Sequence, residues 1–178
     1  MPLTSADLAR NFILSQAKTE DEQKRLFKEY WSPLEELLRA NLMGSSKARN
    51  AEFQKVLPEF LRAVLVVEKK KYISATDLFS HLRAYFKDGQ IEEKLKLIST
   101  HAVEYCKFLN ANNEKNATVK GQLLRILDLR MTTFNPVLLV LFGSYTQGTL
   151  NFRDLKHAMQ YIESFLVRRA FNSRVSRD

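Results

Sequence analysis

The sequence predicts an all-α fold, a multi-helix bundle around a buried central helix at about residues 135–145. Three observations predict it. First, helix-capping pairs recur ahead of apolar-periodic stretches: Thr4 with Asp7, Thr19 with Glu22, Ser74 with Asp77 and Asn151 with Asp154. Second, Ile91, Leu95, Ile98, Ala102, Tyr105 and Leu109 recur at helical spacing and draw one stripe. Third, Val137 to Phe142 is an unbroken apolar run entered through Asn135-Pro136, a cap followed by the residue that suits the first helical position. So short a run also fits a buried strand. The Asn-Pro entry favours the helix, and a helix apolar on every side must be surrounded by other elements.

The elements follow in order. Thr4 caps a first helix through Leu8, Phe12 and Ile13, on which Asp7, Asn11 and Leu14 share one line at i, i+4 and i+7. Thr19 caps a second helix bearing Leu26, Phe27, Tyr30 and Trp31, with Glu20 and Asp21 placed favourably for the helix dipole. Ser32-Pro33 interrupts it and opens another through Leu34, Leu37 and Leu38. The loop beginning Met43-Gly44-Ser45 makes residues 43–50 the expected hinge in an otherwise single helical domain, 1–178. From Ala51 the helical pattern resumes, with a kink or restart expected at Pro58 and a strand-like ambiguity at Ala63–Val67. Lys69-Lys70-Lys71 then reads as a solvated helix end, or alternatively as a phosphate contact.

Ser74 and Asp77 cap the next helix, with Ile73 and Leu78 as its hydrophobic staple, and Gly89 stops it. The amphipathic stripe from Ile91 follows, with Cys106 on it as an inert buried thiol. After the polar turn Asn110–Asn116 comes a helix through Val119, Leu123 and Ile126, then the central segment. A final helix, stapled by Leu150 and Leu155, carries Met159, Ile162 and Leu166 to Arg168-Arg169. The tail Asn172–Asp178 is expected to fray.

Composition narrows the function classes. The charge is +8, with 8 basic against 7 acidic residues in 1–50 and 6 against 3 in 151–178. The excess therefore grows toward the C-terminus, which permits contact with nucleic acid without requiring it. One cysteine excludes an internal disulfide and suits a reducing compartment. No apolar run approaches the roughly 20 residues of a membrane span, and no signal peptide is expected, so the cytoplasm is the expected location. His81, His101 and His157 stand apart from other metal ligands, and the glycines form no phosphate loop. These residues suggest no catalytic set, no metal and no cofactor.

Four stretches together resemble a bacterial defence family. Leu3-Thr4-Ser5-Ala6-Asp7-Leu8-Ala9-Arg10-Asn11 is similar to its Leu-Thr-x-x-Asp-Leu-x-Arg-Asn segment, and Tyr30-Trp31-Ser32-Pro33-Leu34-Glu35 to its Tyr-Trp-x-Pro-x-Glu. Asn135-Pro136-Val137-Leu138-Leu139 and Ile162-Glu163-Ser164-Phe165-Leu166-Val167-Arg168-Arg169 resemble its Pro-x-Leu-Leu and Glu-Ser-x-x-x-Arg-Arg. The family is that of GmrSD-type modification-dependent restriction enzymes and related phosphorothioate-sensing nucleases. The resemblance implies a helical lobe that follows a ParB-like nucleotide-hydrolysing lobe and precedes an HNH-type nuclease domain. This chain would then be a non-catalytic lobe of a larger phage-defence protein, with the ParB-like lobe as partner and DNA as a further contact. The signature Asp-Gly-Gln-Gln-Arg of that catalytic lobe is not here: Asp88-Gly89-Gln90 continues into Ile91-Glu92. The rival reading is a self-contained basic helical adaptor for a protein or nucleic acid.

The residues expected to contact another lobe or DNA are Asp7, Asn11, Arg168 and Arg169. At about 100° per residue, Arg169 lies about 20° beyond the stripe of Leu155, Met159, Ile162 and Leu166. It is therefore expected on the core side and paired with a carboxylate, while Arg168 is expected in solvent.

Overall fold

Thr4 opens the helical course as its spacing predicts. Its hydroxyl accepts from the backbone N–H of Asp7 (3.2 Å), while the Asp7 carboxylate accepts from the Thr4 N–H (3.2 Å) and hydroxyl (2.6 Å). The computed structural model describes the backbone of residues 4–175 and the side chains of residues 4–171. The described residues form helices and turns and no strand. The helices are α1 (Ser5–Leu14), α2 (Glu20–Leu26), α3 (Ser32–Ala40), α4 (Ser46–Lys69), α5 (Leu78–Phe86), α6 (Ile91–Leu109), α7 (Ala117–Asp128), α8 (Asn135–Thr146) and α9 (Phe152–Val175).

Ser32-Pro33 does not start a separate helix. A π turn, Phe27–Trp31, joins α2 to α3 in one continuous rod, and the Ser32 N–H donates five residues back to the Phe27 carbonyl. A proline inside a regular helix clashes with the carbonyl four residues earlier, and widening the preceding turn relieves that clash. The same pressure at Pro58 is absorbed differently: α4 runs through it without a restart. Ala63–Val67 is helical too, and Ala63, Val64 and Leu65 are buried.

The loop at the expected hinge is shorter than 43–50. Ser45 accepts from the Ala48 N–H and starts α4, so residues 46–50 are already helix. Gly44 makes the bend at φ +101, a conformation that L side chains rarely adopt. Ser74 and Asp77 form their reciprocal bonds inside a turn, and α5 begins at Leu78; the stapling pair Ile73 and Leu78 is buried. Residues 172–175 continue α9, and the expected fraying of 176–178 lies outside the described residues.

α4 contacts α1, α3, α5, α6 and α8; α6 also packs on α3 and α8, and α9 lies on α7 and α8. The α6 stripe is buried as its spacing predicts, with Ile91, Leu95, Ile98, Ala102 and Tyr105 inside and Leu109 half-buried. Cys106 is buried as well; burial pushes its thiol up to about 11, leaving it protonated at neutral pH.

α8 departs from the expectation of burial on all sides. Asn135, Leu138, Leu139 and Phe142 are buried against α4, α6 and α9, but Val137 and Val140 are 45% and 47% exposed. The reason is the number of neighbours. Three packed helices cover one side of α8, and among the described residues no element covers the other.

Candidate functional site

The four stretches that carry the family resemblance fall into two spatial pairs. In the first, Arg10 of α1 bridges Asp7 (3.0 Å) and Glu35 of α3 (3.6 Å). Glu35 is largely buried and accepts from the indole N–H of the fully buried Trp31 at 2.7 Å. Arg39 lies 4.0 Å from the same carboxylate and stacks 3.6 Å from the Phe53 ring of α4. In the second pair, α8 packs on α9: Phe134, just ahead of the third stretch, meets Phe165 of the fourth at 5.6 Å, and Glu163 pairs with Arg125 of α7 at 2.8 Å. These residue types at these spacings fasten helix to helix. They offer no nucleophile with an adjacent base.

The four residues expected to reach another lobe or DNA are separated by the fold. Asp7 is occupied locally: hydrogen bonds from Thr4, then the Arg10 charge, hold its carboxyl below the usual range. Leu14 on the same helix line is buried, and exposed Asn11 opens onto a shallow hollow shared with Gln23 and Phe27. Arg168 is exposed and donates to the Ser164 carbonyl (3.2 Å) and hydroxyl (3.1 Å).

Arg169 is exposed, contrary to the expected core-side pairing. Of the half-buried residues of α9, Lys156, Glu163, Val167 and Ala170 lie on the opposite flank of the stripe and only Ala158 lies on the flank of Arg169. The helix is thus rolled toward that flank. Equal spacing on two sides of a stripe cannot say which way a helix is rolled.

Two charged clusters were not apparent from the chain. Glu92 of α6 receives Arg25 (2.7 Å), the Tyr30 hydroxyl (2.8 Å) and Lys96 (3.2 Å), and these, Arg25 foremost, pull its carboxyl down to about 2. The second is nearly buried. Lys107 lies 2.8 Å from Glu104 and 3.4 Å from Glu114, and Thr146 of α8 donates to Glu104 at 2.8 Å. Two carboxylates sharing one ammonium form a clasp between α6, α8 and the turn before α7. No group of three or more His, Cys, Asp or Glu residues arranged to hold a metal occurs among the described residues.

Two concavities bear on function. A cavity of about 270 Å³ between α4, α6 and α8 is lined partly by Tyr105, Asn135 and Glu59, and the Asn135 amide donates to the Tyr105 hydroxyl at 3.3 Å. Burial raises the carboxyl of Glu59 and the hydroxyl of Tyr105, which favours their neutral forms. The larger concavity, about 530 Å³, is a groove between α4 and α8. Its walls are Val66, Val67, Val137, Val140 and Leu141, with Lys70, Lys71 and Tyr72 at one end. Its sequence signals were the all-apolar run and the lysine triplet; that they meet depends on the packing of α8 on α4.

No family model, no curated protein and no solved structure matches the chain. Among the described residues no helix is long and apolar enough to cross a membrane.

Proposed function

We propose that this chain is the helical scaffolding lobe of a DNA-modification-dependent restriction protein, working beside a ParB-like nucleotide-hydrolysing lobe. One observation carries the reading. The first two resembling segments are fastened by Arg10 to Glu35, and the last two lie on α8 and α9, which pack together, with Phe134 just ahead of the third segment meeting Phe165 of the fourth. Motifs that fasten helices are what a lobe needs when the chemistry is performed elsewhere. DNA contact would come from the basic excess near the C-terminal end of α9, where Arg168 and Arg169 are both exposed.

The test is restriction itself. The gene is expressed with its flanking coding sequence in a bacterial host. That host is then challenged with phage carrying modified cytosine and with the same phage carrying ordinary cytosine. The expected result is reduced plating of the modified phage alone, lost on deletion of this chain. Equal plating of the two phages rejects the proposal. The purified chain by itself is expected neither to hydrolyse nucleotides nor to cut plasmid DNA. Metal-dependent cleavage abolished by a substitution within residues 1–178 would overturn that expectation.

A second reading, a self-contained basic helical adaptor, is favoured by the open groove between α4 and α8. It predicts partner binding without any restriction phenotype.

A further inference from the structure

α8 is apolar around most of its circumference, yet among the described residues it is covered on one side only. Val137, Val140 and Leu141 follow the i, i+3, i+4 spacing by which a helix presents a face to another helix. Val66 and Val67 on the last turns of α4 form the facing wall. Two helices side by side leave a furrow into which the side-chain ridge of a third can settle.

The charges define the polarity of the occupant. The groove lining contains Lys70 and Lys71 and no carboxylate, and no acidic residue lies between Asp128 and Asp154 in the sequence. Of the carboxylates on neighbouring segments, Asp88 is paired with Lys94, Glu68 lies 3.6 Å from His101, and Asp77 accepts from the Ser74 hydroxyl at 2.7 Å; none of them lines the groove. Lys70 ends α4 in the left-handed conformation at φ 50, which turns the chain toward Lys71 and Tyr72. Lys69 beside them donates to the His81 carbonyl, and its ammonium is lowered by burial and then by Lys71 and Lys94. Lysines are therefore crowded at this end of an apolar furrow whose own lining holds no carboxylate.

We infer that the α4–α8 groove is a docking site for an amphipathic helix of a partner protein or domain whose apolar face is flanked by acidic residues. That helix would cover Val137 and Val140 and neutralise Lys70 and Lys71, supplying the neighbour that α8 lacks. The inference rests on the groove alone and holds or fails independently of restriction.

The probe is a synthetic peptide of about five helical turns, roughly 18 residues, with leucines on one face and glutamates on its flanks. A second peptide keeps the leucines and carries lysines instead. Both are titrated against the full chain by fluorescence anisotropy at low and high salt. The glutamate peptide should bind more tightly than the lysine peptide, and more weakly at high salt. Val140→Asp should weaken it by about tenfold or more. The pair Lys70→Glu and Lys71→Glu should reverse the preference, which a merely structural role would not do. Because Val140 is half-exposed, Val140→Asp should keep the helical circular-dichroism spectrum; if it does not, the lysine reversal carries the test. Equal affinity for both peptides overturns the inference. So does phosphatidylserine-vesicle binding that depends on the same residues while neither peptide binds, which would assign the groove to a membrane surface. A dimer in sedimentation that Val140→Asp abolishes would likewise overturn it, assigning the groove to a second copy.

Discussion

α6 and α8 pack against each other, yet they divide their side chains between core and solvent by opposite rules. α6 is amphipathic and shows the core the face its spacing predicts, while its charged side chains tie it to distant segments, Glu92 to Arg25 and Glu104 to Thr146. α8 has almost no polar face, so its sequence cannot choose a side to bury. Its orientation is set by the helices already present, and the valines left over face outward. An amphipathic pattern thus encodes how a helix is rolled. A uniformly apolar one encodes how many neighbours it is built for.

The largest expected effects lie on the covered sides. Lys107→Met leaves the nearly buried carboxylates of Glu104 and Glu114 facing each other without their shared cation, a loss of about 3–5 kcal/mol. Denaturant unfolding measures it, and adding Glu104→Gln and Glu114→Gln to Lys107→Met should recover part of the loss. On α8 itself, Leu139→Ala at a fully buried position should cost about 2–5 kcal/mol. Val140→Ser, one residue on, should stay within about 0.5 kcal/mol. Similar losses at the two positions would mean that α8 is covered on both sides, and the contrast with α6 would disappear.

What was legible follows the same division. Local rules read well: the capping pairs at Thr4, Thr19 and Asn151 form, the α6 stripe is buried, and Gly89 ends its turn at φ 78, whereas the Ser74–Asp77 pair closes a turn ahead of α5 rather than capping it. The Asn135-Pro136 entry pointed to a helix rather than a strand, and the run is helical, but Asn135 is itself the first helical residue and does not cap: its amide donates to the Tyr105 hydroxyl instead. Where two local signals competed, the sequence was less decisive. Ser32-Pro33 looks like a helix start, but its proline is accommodated by the π turn instead. Long-range pairings were out of reach: Glu92 meets Arg25 and Tyr30, 67 and 62 residues away, and nothing in the spacing of α6 selects them. The groove was half visible, because the sequence showed an apolar helix and a lysine triplet without showing that they adjoin.

An effect of intermediate size separates the charged side of α6 from its core. The Glu92 carboxyl is held at about 2, against 4.5 for an ordinary glutamate, by Arg25, Tyr30 and Lys96. A carboxyl lowered on folding contributes stability in full above the unfolded value, and that contribution is lost as pH falls through the folded one. The difference in melting midpoint between the parent protein and Glu92→Gln should therefore be steady above about pH 4.5 and shrink toward about pH 2. A difference that does not change with pH would show that Arg25 and Tyr30 do not hold the carboxylate in the folded protein.

The smallest effects are expected at the end of α9, the third way a helix meets solvent. Helical spacing alone placed Arg169 beside the buried stripe, and a buried paired guanidinium would cost about 3–5 kcal/mol to remove. The roll of α9 toward Glu163, Val167 and Ala170 turns Arg169 outward, and Arg168 is exposed and, among the described residues, bonded to Ser164 on its own helix. Exposed charges with local partners contribute well under about 1 kcal/mol. Arg168→Ala and Arg169→Ala should thus melt within error of each other and of the parent protein. A clearly lower midpoint for Arg169→Ala would restore the core-side orientation and with it the symmetric reading of the stripe. If the midpoints agree while both substitutions weaken binding to duplex DNA, and more so at low salt, the arginines serve an electrostatic contact. Equal midpoints with unchanged DNA binding would leave α9 a packing helix whose last turns extend into water.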